Sequence, residues 1–394
     1  MALLPHQNMW YSLPQLPDKF PDNVPGTDPN AGAYVFSDIS AWTSGFFPGS
    51  LYALLERSVR FPHQFQAGGI SPVNVHERLL HMSRQWSDPL YQQAHRTNTH
   101  DMGFLMLPAL RKDWELTGNS KSLHAIVTAA HSLSARYNSR VRALRSWNSL
   151  VNKRHNITDQ ESNFLVIVDS MCNLDLLFYA GYHTRNQTLV NIATTHAHTV
   201  LHNIVRDDFS TFHCCNINPE NGDIKFQETV QGYKDWSTWS RGQAWAILGY
   251  AQTYQWTRDP IFLQTAKGLA DYFILRLKES LQPCPFVPPW DFDAPTVGDS
   301  LPPRDTSAGL VAANGLLLLH QILREDSPYL EHALQIVTET VDLSMAPDSW
   351  ETILMNATIN NNEYASTRSS NTGLVYADYY FLEFGNQFLR LGLL

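Results

Sequence analysis

Apolar and polar positions along the chain alternate with helical period almost throughout, and the helices they predict are of two kinds. One kind is apolar nearly all round. It follows WTSGFFPGSLYALL from Trp42, HDMGFLMLPAL from His100, VDSMCNLDLLFYA from Val168, SRGQAWAILGYA from Ser240, DTSAGLVAANGLLLL from Asp305 and NTGLVYADYYFLEF from Asn371. Helices without a polar face belong inside a protein. The other kind is amphipathic: KSLHAIVTAAHSLSARY, QTLVNIATTHAHTVLHNIV, IFLQTAKGLADYFILRL and YLEHALQIVTETVDL. Short turns (TGNS, HTRN, TRDP, REDSP) precede these and offer Asn, Asp or Ser as an N-cap.

A unit of inner helix, turn and outer helix therefore recurs about six times. Its markers, Trp42, Asp101, Asp169, Arg241, Asp305 and Asn371, stand roughly 60–70 residues apart, beyond the roughly 20–50 of open solenoids. Six hairpins can close into a ring that leaves no terminal repeat exposed. The expectation is an all-α fold, an (α/α)6 barrel of six helical hairpins, forming one catalytic domain over residues 1–394 with 1–40 as an irregular N-terminal segment. The polar residues that open the six inner helices should then gather at one mouth. The alternative for any one of them is helix capping.

Composition narrows the function classes. Apolar residues make up 43% and charged residues 16%, a core-rich, folded balance. With 28 Lys+Arg against 37 Asp+Glu the net charge is −9, which argues against nucleic acid or an acidic membrane as partner. The N-terminus lacks the basic, then apolar pattern of a signal peptide, and no long apolar run suggests a membrane span. A cytoplasmic protein is expected, a monomer or weak homo-oligomer. The four Cys form no disulfide framework and lack zinc spacing; Cys214 and Cys215 read as buried thiols. No phosphate loop, GxSxG elbow or dinucleotide fingerprint occurs.

Two constellations could carry chemistry. Asp101 and Asp169 open consecutive inner helices within apolar sequence, and apolar surroundings raise a carboxyl pKa. Two such groups at one mouth suit glycosidase chemistry, with one kept protonated as an acid; the alternative is two N-caps. The segment QGYKDWSTWSRGQAW brings Gln231, Trp236, Trp239, Arg241, Gln243 and Trp245 together. Indole faces stack on sugar rings, and Arg can grip a carboxylate through two parallel hydrogen bonds. Trp42 could supply an opposite wall, and His213 a polar sugar contact. For Trp245 alone, barrel core is the better reading. His196, His198 and His202, on an outer helix without the Glu of a metalloprotease motif, read as surface histidines.

HDMGF, VDSMCNLDLL and WSTWSRGQAWAILGYAQTY together resemble the unsaturated glucuronyl hydrolase family of glycoside hydrolases, over nearly the whole length. The resemblance implies an (α/α)6 barrel without metal or cofactor. It implies cleavage of lyase-generated, glycosaminoglycan-type di- or oligosaccharides carrying a 4,5-unsaturated uronic acid at the non-reducing end. A carboxylic acid protonates C4, water adds at C5, and the hemiketal opens. Asp169 matches the family's acid/base. Asp101 matches the second carboxylate, which helps keep Asp169 protonated. Trp42, His213, Gln231, Trp239, Arg241 and Trp245 match sugar-contacting positions, with His100 as a further contact.

Toward the C-terminus, Ser366, Arg368, Ser369 and Ser370 fall where relatives select sulfated or unsulfated sugars. The parent polysaccharide stays open. An unsaturated rhamnogalacturonyl hydrolase ranks second, because it shares the barrel and the vinyl-ether chemistry but generally lacks the HDMGF and WSRGQAW pairing. An (α/α)6 epimerase with histidine pairs inside its barrel, or a silent sugar-binding barrel, ranks lower.

Overall fold

The computed structural model describes residues 16–27, 29–64, 72–324 and 327–393. Six apolar segments form inner helices: Phe46–Arg60; Met102–Met106, continued by Leu107–Arg111 and Lys112–Thr117; Ser170–Thr184; Ser240–Thr257; Thr306–Leu323; and Val375–Arg390. Each packs on the next, and the sixth packs on the first, so the ring closes. The amphipathic helices Pro72–Ser87, Ser120–Ser134, Gln187–Asn203, Pro260–Lys278 and Tyr329–Ser344 lie outside it. The α/α barrel is therefore present. Against six expected hairpins, the described residues supply six inner and five outer helices, because the chain's last helix is an inner one.

The turns cap as their sequences suggest. Asn119, Asn186 and Asp259 accept the backbone N–H groups of Lys121, Thr188 and Ile261, and Ser327 Oγ accepts that of Tyr329. Inner helices approach closely where glycine allows it. A Cβ at Gly249 would lie 2.5 Å from Met171 Cβ, and one at Gly103 would lie 2.8 Å from Asn173 Cα. Asn173 Oδ1 then accepts the Phe104 N–H at 3.1 Å, tying the second inner helix to the third. Pro108 has no N–H to give, and the helix widens into a π turn over Leu107–Arg111. Thr306–Leu323 is long and apolar enough to cross a membrane, but it is a buried stave of this barrel.

Two departures from the sequence reading concern the mouth where the inner helices begin. The segment 1–40 is not irregular throughout. Lys19–Val24 pairs antiparallel with Val35–Asp38 on one side and with Gly373–Leu374 on the other, Asn23 facing Leu374. A second antiparallel sheet joins Phe164–Ile167, Cys214–Ile217 and Ile224–Glu228. In sequence its first strand merges with the apolar run of the following helix, so periodicity gave no boundary.

At the opposite end, Lys112 Nζ lies 2.6 Å from Glu56 Oε2 and 2.7 Å from Glu383 Oε2. Arg390 joins the same two carboxylates, so the network links the first, second and sixth inner helices. Removing one partner of a buried network leaves uncompensated charge, at a cost on the order of 3–5 kcal/mol. Lys112→Met is expected to lose stability of that order in denaturant unfolding while the KM of the folded fraction stays unchanged, since the network is remote from the inner-helix N-termini.

Candidate active site

Asp169 stands on a strand-to-helix turn, between the strand Phe164–Ile167 and the helix Ser170–Thr184. The turn is held on its flanks: Ile167 N–H donates to Ser146 Oγ at 3.0 Å, and Val168 N–H to the His213 carbonyl at 3.0 Å. Asp101 precedes Met102–Met106 in the same way. Neither carboxylate caps its helix. Asp305, by contrast, does cap, accepting the Ala308 N–H. Capping thus accounts for Asp305 and not for the other two.

Asp169 Oδ2 is buried without a hydrogen-bond partner and lies 3.7 Å from His213 Nε2. His213 Nδ1 accepts the Val230 N–H at 3.1 Å, so the neutral ring carries its hydrogen on Nε2, facing Asp169. Burial pushes the His213 pKa down to about 3, and Arg241 and His100 add to this, so the ring is neutral at physiological pH. Burial pushes the Asp169 carboxyl up to about 7; the Arg241 charge opposes the rise and the Asp101 charge adds to it. Burial is thus the first cause of a protonated Asp169, ahead of the like-charge repulsion expected from sequence. Asp101 accepts the Thr99 hydroxyl at 2.9 Å and lies 3.3 Å from Nε2 of the buried His100, whose pKa burial lowers.

Arg241 differs from its expected role. It is 2% exposed, and its terminal N–H groups are all occupied. Nη1 donates to Asp305 and to the Thr358 carbonyl; Nη2 donates to Gln231 Oε1 at 2.9 Å and to the Ile359 carbonyl at 2.7 Å. The Trp239 ring lies 4.7 Å away. A guanidinium so engaged has no free fork for a substrate carboxylate. Instead it fixes the amide oxygen of Gln231, a residue of the cavity wall.

That cavity, of about 260 Å³, is lined by Asp22, Trp42, His100, Asp101, Trp147, Asp169, Gln231, Arg241, Asn360 and Tyr376, among others. It falls just below the roughly 300–1,000 Å³ of drug-sized ligand pockets, room for about one sugar ring. Of the residues expected from sequence, Trp42, His100, Asp101, Asp169, Gln231 and Arg241 line it. His213 sits behind Asp169, and Trp239 is wedged between His213 (4.5 Å between ring centres) and Arg241. Trp245 lies in the barrel core against Phe104 and Tyr380 and does not reach the cavity, which corrects its assignment as a sugar contact. Five of the six markers converge, Asp305 through Arg241. Asn371 faces a separate cavity with Ser370.

Several lining residues escaped the sequence reading. Trp147 is a lone Trp in a loop. Asp22 enters from the N-terminal strand, where its carboxylate accepts the Thr43 and Ser37 hydroxyls. Tyr376 is the second residue of the helix Val375–Arg390, whose start was placed too early. Ser366, Arg368, Ser369 and Ser370, expected beyond the cleavage point, are not part of this lining; Arg368 Nε donates to the Asn362 carbonyl. His196, expected at the surface, is fully buried, while His202 is exposed.

The inner helices present their N-terminal, dipole-positive ends to this mouth, a field that favours an anionic ligand. A larger cavity of about 460 Å³ opens at their C-terminal ends, lined by Arg111, Lys112, Asp175, Glu383 and Arg390, whose charges pair with one another. A protonatable carboxyl and a second carboxylate in a sugar-sized pocket on an α/α barrel define the class as a glycoside-cleaving barrel enzyme. The chain belongs to the unsaturated glucuronyl hydrolase family. It is 32% identical over 354 residues to the unsaturated glucuronyl hydrolase of Formosa agariphila, covering 87% of this chain and 78% of the relative. An unsaturated glucuronyl hydrolase specific for heparin superposes with a TM-score of 0.78 at 27% identity, covering 97% of this chain and 93% of the other. Another solved relative, in complex with dGlcA-Glc-Rha-Glc, superposes with a TM-score of 0.78 at 26% identity, covering 96% and 92%. No family profile matches the chain.

A carboxyl whose pKa rises from 3.8 to about 7 on folding lowers stability as pH climbs through that window, because the folded state then binds more protons than the unfolded one. Asp169→Asn removes this loss. The stabilisation of the variant over wild type is expected to grow from pH 4 to pH 7 and level off above, as read by thermal melting across pH. A difference independent of pH would contradict the raised pKa.

Proposed function

We propose that the chain hydrolyses oligosaccharides left by polysaccharide lyases, releasing the 4,5-unsaturated uronic acid from their non-reducing end, with Asp169 as the proton donor. The observation that carries this reading is the Asp169 carboxyl, its Oδ2 buried without a hydrogen-bond partner and its pKa raised to about 7, at the edge of an open, sugar-sized cavity. A pKa near the working pH suits a group that acts first as acid and then as base.

The Asp169 carboxyl gives its proton to C4 of the C4=C5 bond, and the positive charge that develops at C5 is shared with the ring oxygen. Water adds to C5 and returns a proton to the Asp169 carboxylate. The hemiketal then opens between C5 and the ring oxygen, and the hemiacetal at C1 collapses to free the remaining sugar. One water is consumed and Asp169 is restored. During the charged interval, His213 Nε2–H faces the new carboxylate from 3.7 Å. Asp101 takes the role of a sugar-binding carboxylate, and the Gln231 amide that of a donor to the uronate. Trp42 and Trp147 serve as the apolar walls of the subsite, while Trp239 and Arg241 support it from behind.

Loss of the ultraviolet absorbance of the conjugated uronate, followed on lyase-derived disaccharides, tests the reading. Wild type is expected to bleach the signal, with kcat falling as pH rises above 7 because the acid is lost. Asp169→Asn keeps the shape without the proton and is expected to lose at least about 100-fold in kcat. A variant that bleaches as fast as wild type would remove Asp169 from the mechanism. A wild type inert on both glucuronyl and galacturonyl substrates would overturn the activity itself.

A further inference from the structure

The steps above leave His196 unused, although it is fully buried on the outer helix Gln187–Asn203 and both ring nitrogens are engaged. Nδ1 accepts the Leu144 N–H at 2.9 Å, and Nε2 lies 2.7 Å from Ser170 Oγ. Ser170 Oγ in turn lies 2.6 Å from the Ile167 carbonyl oxygen. Only one arrangement of protons satisfies this chain. The Leu144 N–H requires Nδ1 to be an acceptor, so Nε2 carries the hydrogen and donates to Ser170, whose own hydroxyl hydrogen goes to Ile167. Burial, with a smaller contribution from His100, holds the His196 pKa down at about 3 and keeps the ring in this neutral form.

Ile167 and Ser170 bracket Val168 and Asp169. The bond from Ser170 to Ile167 therefore pins the last strand residue to the first helical residue across the turn that carries the acid. Position matters here more than usual, because among the described residues no side chain donates a hydrogen bond to the Asp169 carboxyl. The groups that face it are Asp101, His213 and Arg241, with the buried thiols of Cys172 and Cys214 nearby. None of them donates a hydrogen bond to it, and its placement is left to the backbone.

We infer that His196 and Ser170 are positioning residues for the Asp169 acid, an outer-helix histidine and a helix-start serine that lock the strand-to-helix turn at the cavity edge. The inference rests on the assignment of Asp169 made above. Misplacement of a reacting group by about 1 Å can cost on the order of 100-fold in rate, so loosening this turn acts on kcat and leaves substrate binding to the cavity walls.

Three variants separate positioning from simple packing. Ser170→Ala deletes the pin with the least change in volume. His196→Asn retains an acceptor near Nδ1 for Leu144 but falls short of Ser170. His196→Gln reaches Ser170 with its NH2. Per folded molecule, Ser170→Ala and His196→Asn are expected to lose about 10–100-fold in kcat with KM nearly unchanged. Their alkaline limb should move to lower pH, since a loosened carboxyl is better hydrated. His196→Gln should recover most of kcat. Wild-type kcat and pH limb in folded Ser170→Ala would overturn the inference, even if both His196 variants fail to fold. Activity in Asp169→Asn would instead overturn the assignment of the acid, so the two failures are distinguishable.

Discussion

Burying a carboxyl oxygen without a hydrogen-bond partner is costly, and the protein meets that cost at Asp169 Oδ2 by keeping the group protonated. The rest of the mouth is arranged around this condition. The His213 ring that faces it is held neutral, with Nδ1 on the Val230 backbone, so it supplies no fixed positive charge that would ionise the acid. Arg241, the cation that acts on Asp169 among the described residues, is buried against Asp305, and two carbonyls and Gln231 take its remaining donors. Were that guanidinium free, its field would pull the Asp169 pKa down more strongly.

The barrel makes this arrangement possible because it delivers side chains from separate staves to one point. Asp101 and Asp169 come from adjacent inner helices that Asn173 and Gly103 hold in close contact. Arg241 comes from the fourth inner helix, and Asp305 meets it from the fifth. The N-terminal strand closes the circle by pairing with Gly373–Leu374 and adds Asp22 to the cavity wall. The charged network of Lys112, Glu56, Glu383 and Arg390 ties the far end of the same ring. Helix polarity then assigns the two ends different characters, with backbone N–H groups toward the acid and carbonyls toward the charged network.

Much of this was legible in the sequence because it follows from periodicity. Helices that are apolar all round had to be inner staves, and the amphipathic ones had to cover them. The Asn, Asp and Ser turns set their starts. The two acids stood out because they open such helices. What stayed hidden depends on contacts that sequence spacing does not encode. Trp245 and Trp239 lie close to Arg241 along the chain, but one points into the core and the other lies behind the guanidinium. Trp147 and Asp22 reach the site from loop and strand segments with no helical period. The strand Phe164–Ile167 was masked by the apolar helix that follows it. His196 passed for a surface residue because its neighbours Thr194, Thr195 and His198 are polar, and only the fold shows that it points inward at Ser170.

The central claim is that Asp169 is a neutral acid at the pH where the enzyme works. Carboxyl infrared difference spectra of the unliganded protein across pH, wild type minus Asp169→Asn, measure it directly. The account predicts a protonated carboxyl band that titrates near pH 7 and is missing from the variant. A difference spectrum in which that carboxyl ionises near pH 4 would contradict it.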